Sequence, residues 1–261
     1  VNLNGNWQPA KTGVLPEAVN EALSGSVAWD GKVGIDLPYH AGATYNIELN
    51  GDLKNVSSHL PSPLAKPAGE PLAVNVKVDG NLNSFELTGQ AGADNHFNSR
   101  WLLGQKLTLD RAIWAADSKT LPPLPEQSGV ELNMPPMNGA EWLALFQKGA
   151  AESVGGAASF PQHITLRTPM LSLGNQQWNN LSIVSQPTAN GTLVEAQGRE
   201  INATLAMRNN APWLANIKYL YYNPSVAKTR GDSTPSSPFP TTERINFRGW
   251  PDAQIRCTEC W

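Results

Sequence analysis

Histidine and cysteine side chains do much of the chemistry in proteins, and this chain has few of them. Its four histidines lie far apart and lack the spacing of metal ligands: His40, His59, His96 and His163. The sequence also lacks a nucleophile elbow, a phosphate-binding loop, a dinucleotide fingerprint and a zinc-protease motif. We therefore predict that the protein is not an enzyme and holds no metal or cofactor. Only a carboxylate pair that meets in the folded chain could still support hydrolysis.

The one reactive motif is the pair of cysteines in Cys257-Thr258-Glu259-Cys260. A zinc site needs four ligands, and the chain has no further cysteines to complete one. A redox-active pair of this spacing opens a helix in a βαβ unit, and no such pattern surrounds it. We predict a local structural disulfide between Cys257 and Cys260, formed in an oxidising compartment.

The composition is that of a folded, turn-rich protein. The 261 residues include 22 glycines and 21 prolines, 40% are hydrophobic, and the net charge is −3. So many turn-forming residues favour an all-β chain over a helical bundle. A slightly acidic chain lacks the dense Lys and Arg surface that binds nucleic acid, so we expect no nucleic-acid partner. No apolar run approaches the roughly 20 residues that span a bilayer.

Apolar and polar residues alternate along most of the chain, which is the pattern of strands with one wet face. In one segment, Tyr45, Ile47 and Leu49 share one side while polar residues occupy the other. A longer run between residues 96 and 116 has these apolar residues in phase: Phe97, Trp101, Leu103, Leu107, Leu109 and Ile113. At least eight such strands predict a mainly β fold with antiparallel neighbours.

Turn chemistry separates the strands. Asn50-Gly51-Asp52, Asp79-Gly80-Asn81 and Asn190-Gly191 contain the Asx-Gly pairs of tight hairpin turns, so we predict turns at these positions. The segments Leu60–Pro71 and Ala227–Thr242 are rich in Pro, Ser and Gly and are predicted as loops. The second of them, residues 227–242, is long enough to be flexible.

Two short helices are predicted among the strands. Pro16 can open a helix over Glu17–Leu23, and Asn138 can cap a helix over Gly139–Lys148. The second helix divides the chain into a first strand-rich segment, a helical segment and a second strand-rich segment continuous with the first: residues 1–137, 138–152 and 153–261.

Two short helices are too little to cover the apolar sides of so many strands. Either two sheets close on each other as a sandwich, or one curved sheet lines an open hydrophobic groove. An open groove calls for an apolar partner. Each buried methylene group would contribute about 0.8 kcal/mol, so even a partly filled groove could retain an acyl chain. The residues alone leave both architectures open.

Several segments resemble the YhdP-type branch of the AsmA-like proteins of Gram-negative bacteria. They are Phe247–Ala253, Cys257–Trp261, Tyr45–Leu53, Leu60–Leu72 and Leu132–Pro135 followed by Trp142–Leu145. The resemblance implies a taco-like β-sheet groove in a protein that is anchored in the inner membrane and crosses the periplasm. It also implies transport of phospholipids towards the outer membrane.

On this interpretation we expect the chain to be a fragment whose missing parts reach the inner and outer membranes, and its own partners to be phospholipid acyl chains. An extracellular β-sandwich binding module, for carbohydrate or another ligand, and a cargo-free envelope scaffold are the alternatives. The predicted groove-lining residues are Val33, Ile35, Leu37, Tyr45, Ile47, Leu49, Val74, Val76, Val78, Phe85, Leu87, Leu107, Leu109, Ile164, Leu166, Leu181, Ile183, Ile201, Leu205 and Ile217.

Overall fold

A computed structural model describes residues 1–11, 17–39, 42–150, 158–223 and 254–260. In this part of the chain, 16 strands form one sheet, and the only other sheet pairs two short strands. The fold is mainly β with two short α-helices, as the alternating sequence predicts. The large sheet is open, since its two edge strands lie at opposite ends of the strand order. The described residues do not form the sandwich that the sequence left open.

The strands of the first part of the chain are β1 (Asn2–Trp7), β2 (Leu23–Gly25), β3 (Val27–Asp36), β4 (Thr44–Asp52), β5 (Val56–Ser58), β6 (Ala73–Asn81), β7 (Ser84–Ala91), β8 (Asn95–Leu103) and β9 (Leu107–Ala116). Those of the second part are β10 (Gly129–Asn133), β11 (Met137–Asn138), β12 (Ala158–Ser159), β13 (Ile164–Leu173), β14 (Gln176–Thr188), β15 (Gly191–Gln197), β16 (Ile201–Arg208), β17 (Leu214–Leu220) and β18 (Gln254–Cys260). The helices are α1 (Glu17–Glu21) and α2 (Gly139–Ala150), with 3-10 turns at Pro9–Lys11 and Leu53–Asn55.

The strand order is β1-β3-β4-β6-β7-β8-β9-β10-β13-β14-β15-β16-β17-β18, with β11 beside β13 and β12 beside β9. Most neighbours are antiparallel, as predicted, but the sheet is mixed and also contains parallel pairs. Strand β10 runs parallel to both β9 and β13, and β18 runs parallel to β17. The short pairings of β11 and β12 are parallel too. Parallel neighbours need a crossover connection in place of a hairpin, and alternation in the sequence does not distinguish the two.

The crossover from β9 to β10, residues 117–128, passes over the polar side of the sheet. Asn98 Nδ2 donates to the Pro122 carbonyl at 3.3 Å, and Arg111 Nη1 donates to the Pro125 carbonyl at 3.2 Å. Ile113 is only 6% exposed beside this segment. The connection therefore packs against the polar side of β8 and β9.

Two of the three predicted hairpin turns are wrong. Gly51 and Gly80 lie inside β4 and β6, where Gly51 pairs with Trp29 and Gly80 pairs with Tyr45. Only Gly191, with φ at +148°, follows a turn as predicted. An Asx-Gly-Asx segment has turn chemistry, but it also has strand alternation, with glycine on one side and polar residues on the other. In β4 and β6 the pairing partners select the strand.

Both predicted helices are confirmed. α1 ends at Glu21, and Leu23, the predicted last residue, instead begins β2. Asn138 caps α2 as predicted, because its Oδ1 accepts from the Ala140 N–H at 3.1 Å and its Nδ2 donates to Glu141 at 2.9 Å. Residues 60–71 form an irregular loop, as predicted. The predicted flexible loop 227–242 lies outside the described residues, and the division into residues 1–137, 138–152 and 153–261 stays a prediction.

A buried carboxylate joins three chain segments at one end of the second half of the sheet. Glu200, 5% exposed in the turn between β15 and β16, accepts from the Asn179 N–H at 2.6 Å and the Asn179 amide at 2.7 Å. It also accepts from the amide of Asn223, beyond β17, at 3.1 Å. Desolvation raises the pKa of Glu200, but the hydrogen bonds from Asn179 and Asn223 outweigh it and hold the pKa below its ordinary value.

We predict that Glu200→Gln lowers the free energy of unfolding at pH 7 by about 1–3 kcal/mol, because it turns an amide donor towards the donors of Asn179 and Asn223. Since the folded pKa of Glu200 is lowered, its contribution is complete above the ordinary pKa of 4.5 and is lost as the pH falls through the folded value. Urea unfolding of both proteins at pH 7 and pH 3 measures the difference, which should shrink at pH 3.

The matched control is Glu195→Gln, because Glu195 is an exposed carboxylate on the preceding strand β15. It should leave the free energy of unfolding nearly unchanged at either pH. An equal loss of stability from both substitutions would contradict a special role for Glu200.

Candidate functional site

The register of the sheet collects apolar side chains on one face. Directly paired residues project to the same side of a sheet, so a row of side chains can be followed from strand to strand. One such row begins in β3 and passes through Gly31, Leu49, Val76, Gly89, Phe97, Trp114, Leu132, Leu166, Ile183, Ala196, Ala203 and Ile217. At about 4.8 Å per strand, the eleven steps from β3 to β17 make this row roughly 50 Å long.

A second row on the same side is almost as apolar. It passes through Val33, Ile47, Val78, Leu87, Ser99, Ala112, Val130, Ile164, Ser185, Val194, Leu205 and Ala215. Two serine hydroxyls are its only polar groups, and Ser99 Oγ is engaged with the Leu87 carbonyl at 3.3 Å. We call the side of the sheet that carries these two rows the apolar face.

Charged side chains lie on the opposite side. Glu48 and Lys77 form an ion pair at 3.3 Å between β4 and β6, and Glu131 and Arg167 form one at 3.0 Å between β10 and β13. Each of these residues stands next in sequence to a member of the two apolar rows, so the alternation of the strand directs it away from them. The two apolar rows themselves contain no charged residue.

Among the described residues, no second layer of protein covers most of the apolar face. None of the large side chains in the described residues is less than 2% exposed, and most members of the two rows are only half-buried. A sandwich would have buried them between two sheets about 10 Å apart. Hydrophobic surface therefore stays accessible along the sheet. An apolar ligand that covers this surface removes it from water and gains binding free energy.

Helix α2 covers part of one margin of the apolar face. Its Trp142 packs with Trp114, Leu132, Leu166 and Leu171 around a buried cluster of Ala116, Met134 and Met137. The Trp142 ring N–H also donates to the Ser62 carbonyl at 3.0 Å, which ties α2 to the loop between β5 and β6. We call this side, which also holds α1 and residues 53–72, the helical margin. It is where the described residues bury a core.

The opposite margin consists of hairpin turns with exposed apolar side chains. Ile35, Leu37 and Tyr39 are 68%, 74% and 90% exposed, and Leu82 in the next turn is 72% exposed. Further in on β7 and β8, the Phe85 and Trp101 rings stack with centroids 6.1 Å apart. We call this side the hairpin margin. It leaves the apolar face open to solvent along its edge.

The structure brings the predicted groove-lining residues together on the apolar face with one exception. Leu37 lies just beyond the end of β3, outside the ladder. Of the others, Leu109 and Leu181 are buried, Ile35 and Ile164 are exposed, and the rest are half-buried. Their contact with lipid stays a prediction, since shared placement is a property of the sheet alone.

Sequence reasoning missed Trp114 and Leu132, which occupy the centre of the first apolar row. A register shift between Arg100 and Trp101 changes the phase of β9, so Trp114 joins the apolar face and Ile113, which the alternation had put there, turns away. The preceding residues contain no signal for this bulge. Leu132 belongs to the parallel strand β10, whose partners the sequence does not specify.

Reactive groups are sparse in the described part of the chain, where no three His, Cys, Asp or Glu side chains gather as a metal site would require. No helix described there is long and apolar enough to cross a membrane. Cys257 and Cys260 fall on β18, but their side chains lie outside the description, so the disulfide stays a prediction. Residues three apart in an extended strand have Cα atoms about 10 Å apart, so this disulfide requires β18 to bend.

Comparison with known proteins agrees with the resemblance seen in the sequence. A family model described as YhdP protein matches residues 1–261, the full length of this chain. No solved structure gives a significant match.

We predict that the folded protein, stripped of lipid, binds the uncharged dye Nile red on the apolar face and increases its fluorescence. Val76→Asp places a charge within the first apolar row and should reduce the increase at least two-fold, because a charged group does not remain in contact with hydrocarbon. Fluorescence titration measures the effect. Asn75→Asp, one residue away on the opposite side of β6, is the control and should change little. Equal responses would contradict an accessible apolar face.

Proposed function

The chain belongs to the YhdP family, and we propose that its apolar face binds phospholipid acyl chains as one segment of a transport groove between the inner and outer membranes of a Gram-negative envelope. The family is one of bacterial envelope proteins of a non-enzymatic, lipid-transport type. One observation carries the proposal for this chain: two apolar rows cross the sheet without a charged residue, and the described part of the chain places no second sheet above them.

The rows suit an acyl chain in length and in chemistry. An acyl tail lying across the strands would contact one side chain of each row about every 4.8 Å. Each methylene group that leaves water contributes about 0.8 kcal/mol when it is fully buried, so retention grows with the length of tail in contact. Side chains of similar polarity along a row give successive positions similar affinity, which lets a tail move without a deep trap.

The phospholipid head group would stay in water at a margin of the sheet. The two apolar rows offer no charged partner to a phosphate, while the hairpin margin is open to solvent. Binding of this kind is passive, because tail burial determines retention and no chemical step is involved. We place this segment in the periplasm, within a protein that other parts attach to the inner membrane.

Photocrosslinking tests the proposal in the natural protein within living cells. A benzophenone amino acid at Ile47, in the second apolar row, should give covalent phospholipid adducts that mass spectrometry identifies. The same amino acid at Asn46, the next residue on the opposite side of β4, should give few. We expect at least a five-fold difference, because the two side chains point away from each other and only one faces hydrocarbon.

The cargo-free scaffold makes a different prediction for the same experiment. If the apolar face only spaces the membranes, neither position gives phospholipid adducts. Adducts of equal yield at Ile47 and Asn46 would indicate nonspecific contact with the membrane and would also contradict the proposal.

A further inference from the structure

Glycines on the apolar face lie directly beneath bulky side chains of the neighbouring strand. A Cβ atom added to Gly5 would lie 2.8 Å from the Trp29 ring, and one added to Gly80 would lie 2.6 Å from the Tyr45 ring. At Gly89 the added atom would overlap the ring of Phe97. In each case the ring belongs to the direct ladder partner of the glycine. The ring therefore lies across the glycine and close to the backbone.

A fourth pair has the same arrangement with an aliphatic side chain. A Cβ on Gly31 would lie 2.6 Å from Leu49 Cδ2, and the two residues are ladder partners in β3 and β4. All four glycines lie in strands β1 to β7. They occupy the side of the sheet on which the residues two positions away in the chain are apolar. Glycine weakens a strand relative to alanine, so its repeated use at bulky partners calls for a reason other than strand stability.

Flat side chains change the space above the sheet. Two packed sheets are about 10 Å apart, and the side chains of each fill roughly half of that distance. A ring that stands away from the sheet takes up this space, whereas a ring that lies over a glycine leaves most of it free. The paired glycines thus let hydrocarbon side chains cover the apolar face without projecting far above the sheet.

We propose that Gly5, Gly31, Gly80 and Gly89 determine the depth of the groove, and that they keep its space free for acyl chains by letting the bulky partners lie flat. This inference rests on the proposed function. It assigns these glycines the role of positioning residues, which act through Trp29, Leu49, Tyr45 and Phe97. Rings that lie flat also leave no gaps between projecting side chains, so an acyl tail contacts an even surface.

Gly89→Ala tests the inference in the full chain, purified mildly and examined by native mass spectrometry for bound phospholipid. The added methyl group forces the Phe97 ring away from the sheet and into the groove. Phospholipid per protein molecule should fall at least three-fold, while circular dichroism and the melting temperature stay close to those of the wild type. Gly104→Ala is the control, because Gly104 lies in the turn between β8 and β9 with its nearest neighbouring atom, the Lys106 carbonyl oxygen, 3.8 Å away.

A double variant separates groove depth from general damage to the sheet. Gly89→Ala combined with Phe97→Ala has no ring to displace, so it should recover at least half of the wild-type lipid content. If Gly89 is required only for the stability of the sheet, the double variant should not recover its lipid content. Failure of both variants to fold would overturn the inference, because it would show that Gly89 serves the sheet and not the groove depth.

Two further outcomes distinguish this inference from the proposed function. Wild-type protein that carries phospholipid, together with Gly89→Ala protein that carries as much, overturns the role of the glycines and leaves the lipid-binding groove in place. Wild-type protein that carries no phospholipid and takes up none from phosphatidylethanolamine vesicles overturns both.

Discussion

The register between neighbouring strands fixes which side of the sheet each side chain occupies. Side chains alternate with a period of two, so a slip of one residue in any strand would turn its whole apolar set to the opposite side of the sheet. Two apolar rows nevertheless continue from β3 to β17, through antiparallel and parallel neighbours alike. Their continuity is what converts many separate amphipathic strands into one long hydrocarbon surface.

A sheet with one uncovered apolar face must be held together by something other than a central core. Backbone hydrogen bonds of the ladder run through 16 strands, and the described residues add local anchors at the ends of the strands. The Met134 cluster under α2 is one anchor, and Glu200 with its amide partners is another. These anchors cover only part of the apolar face: Trp114, Leu132 and Leu166 pack under α2, while the other members of the two rows lie outside that cluster.

The parallel strand β10 joins two antiparallel halves into one sheet. Its partners β9 and β13 continue the same apolar rows, so the change of direction leaves the face intact. A parallel strand requires a crossover connection, and this one packs on the polar side of the sheet, where Ile113 is buried. Helix α2 lies on the apolar side, so both sides of the sheet are partly covered near β10.

The mainly β fold, both helices and the family could be predicted from the sequence, as could the shared side of every predicted lining residue except Leu37, because alternation, capping and motif residues are local signals. The tertiary structure was needed to establish which strands pair and in which direction, since β10 and a hairpin strand look alike in sequence. It also established that Trp114, and not Ile113, lies on the apolar face, and that Gly51 and Gly80 belong to strands. Those outcomes depend on partners distant in the chain, whose bulky side chains and hydrogen bonds act only after the sheet has formed.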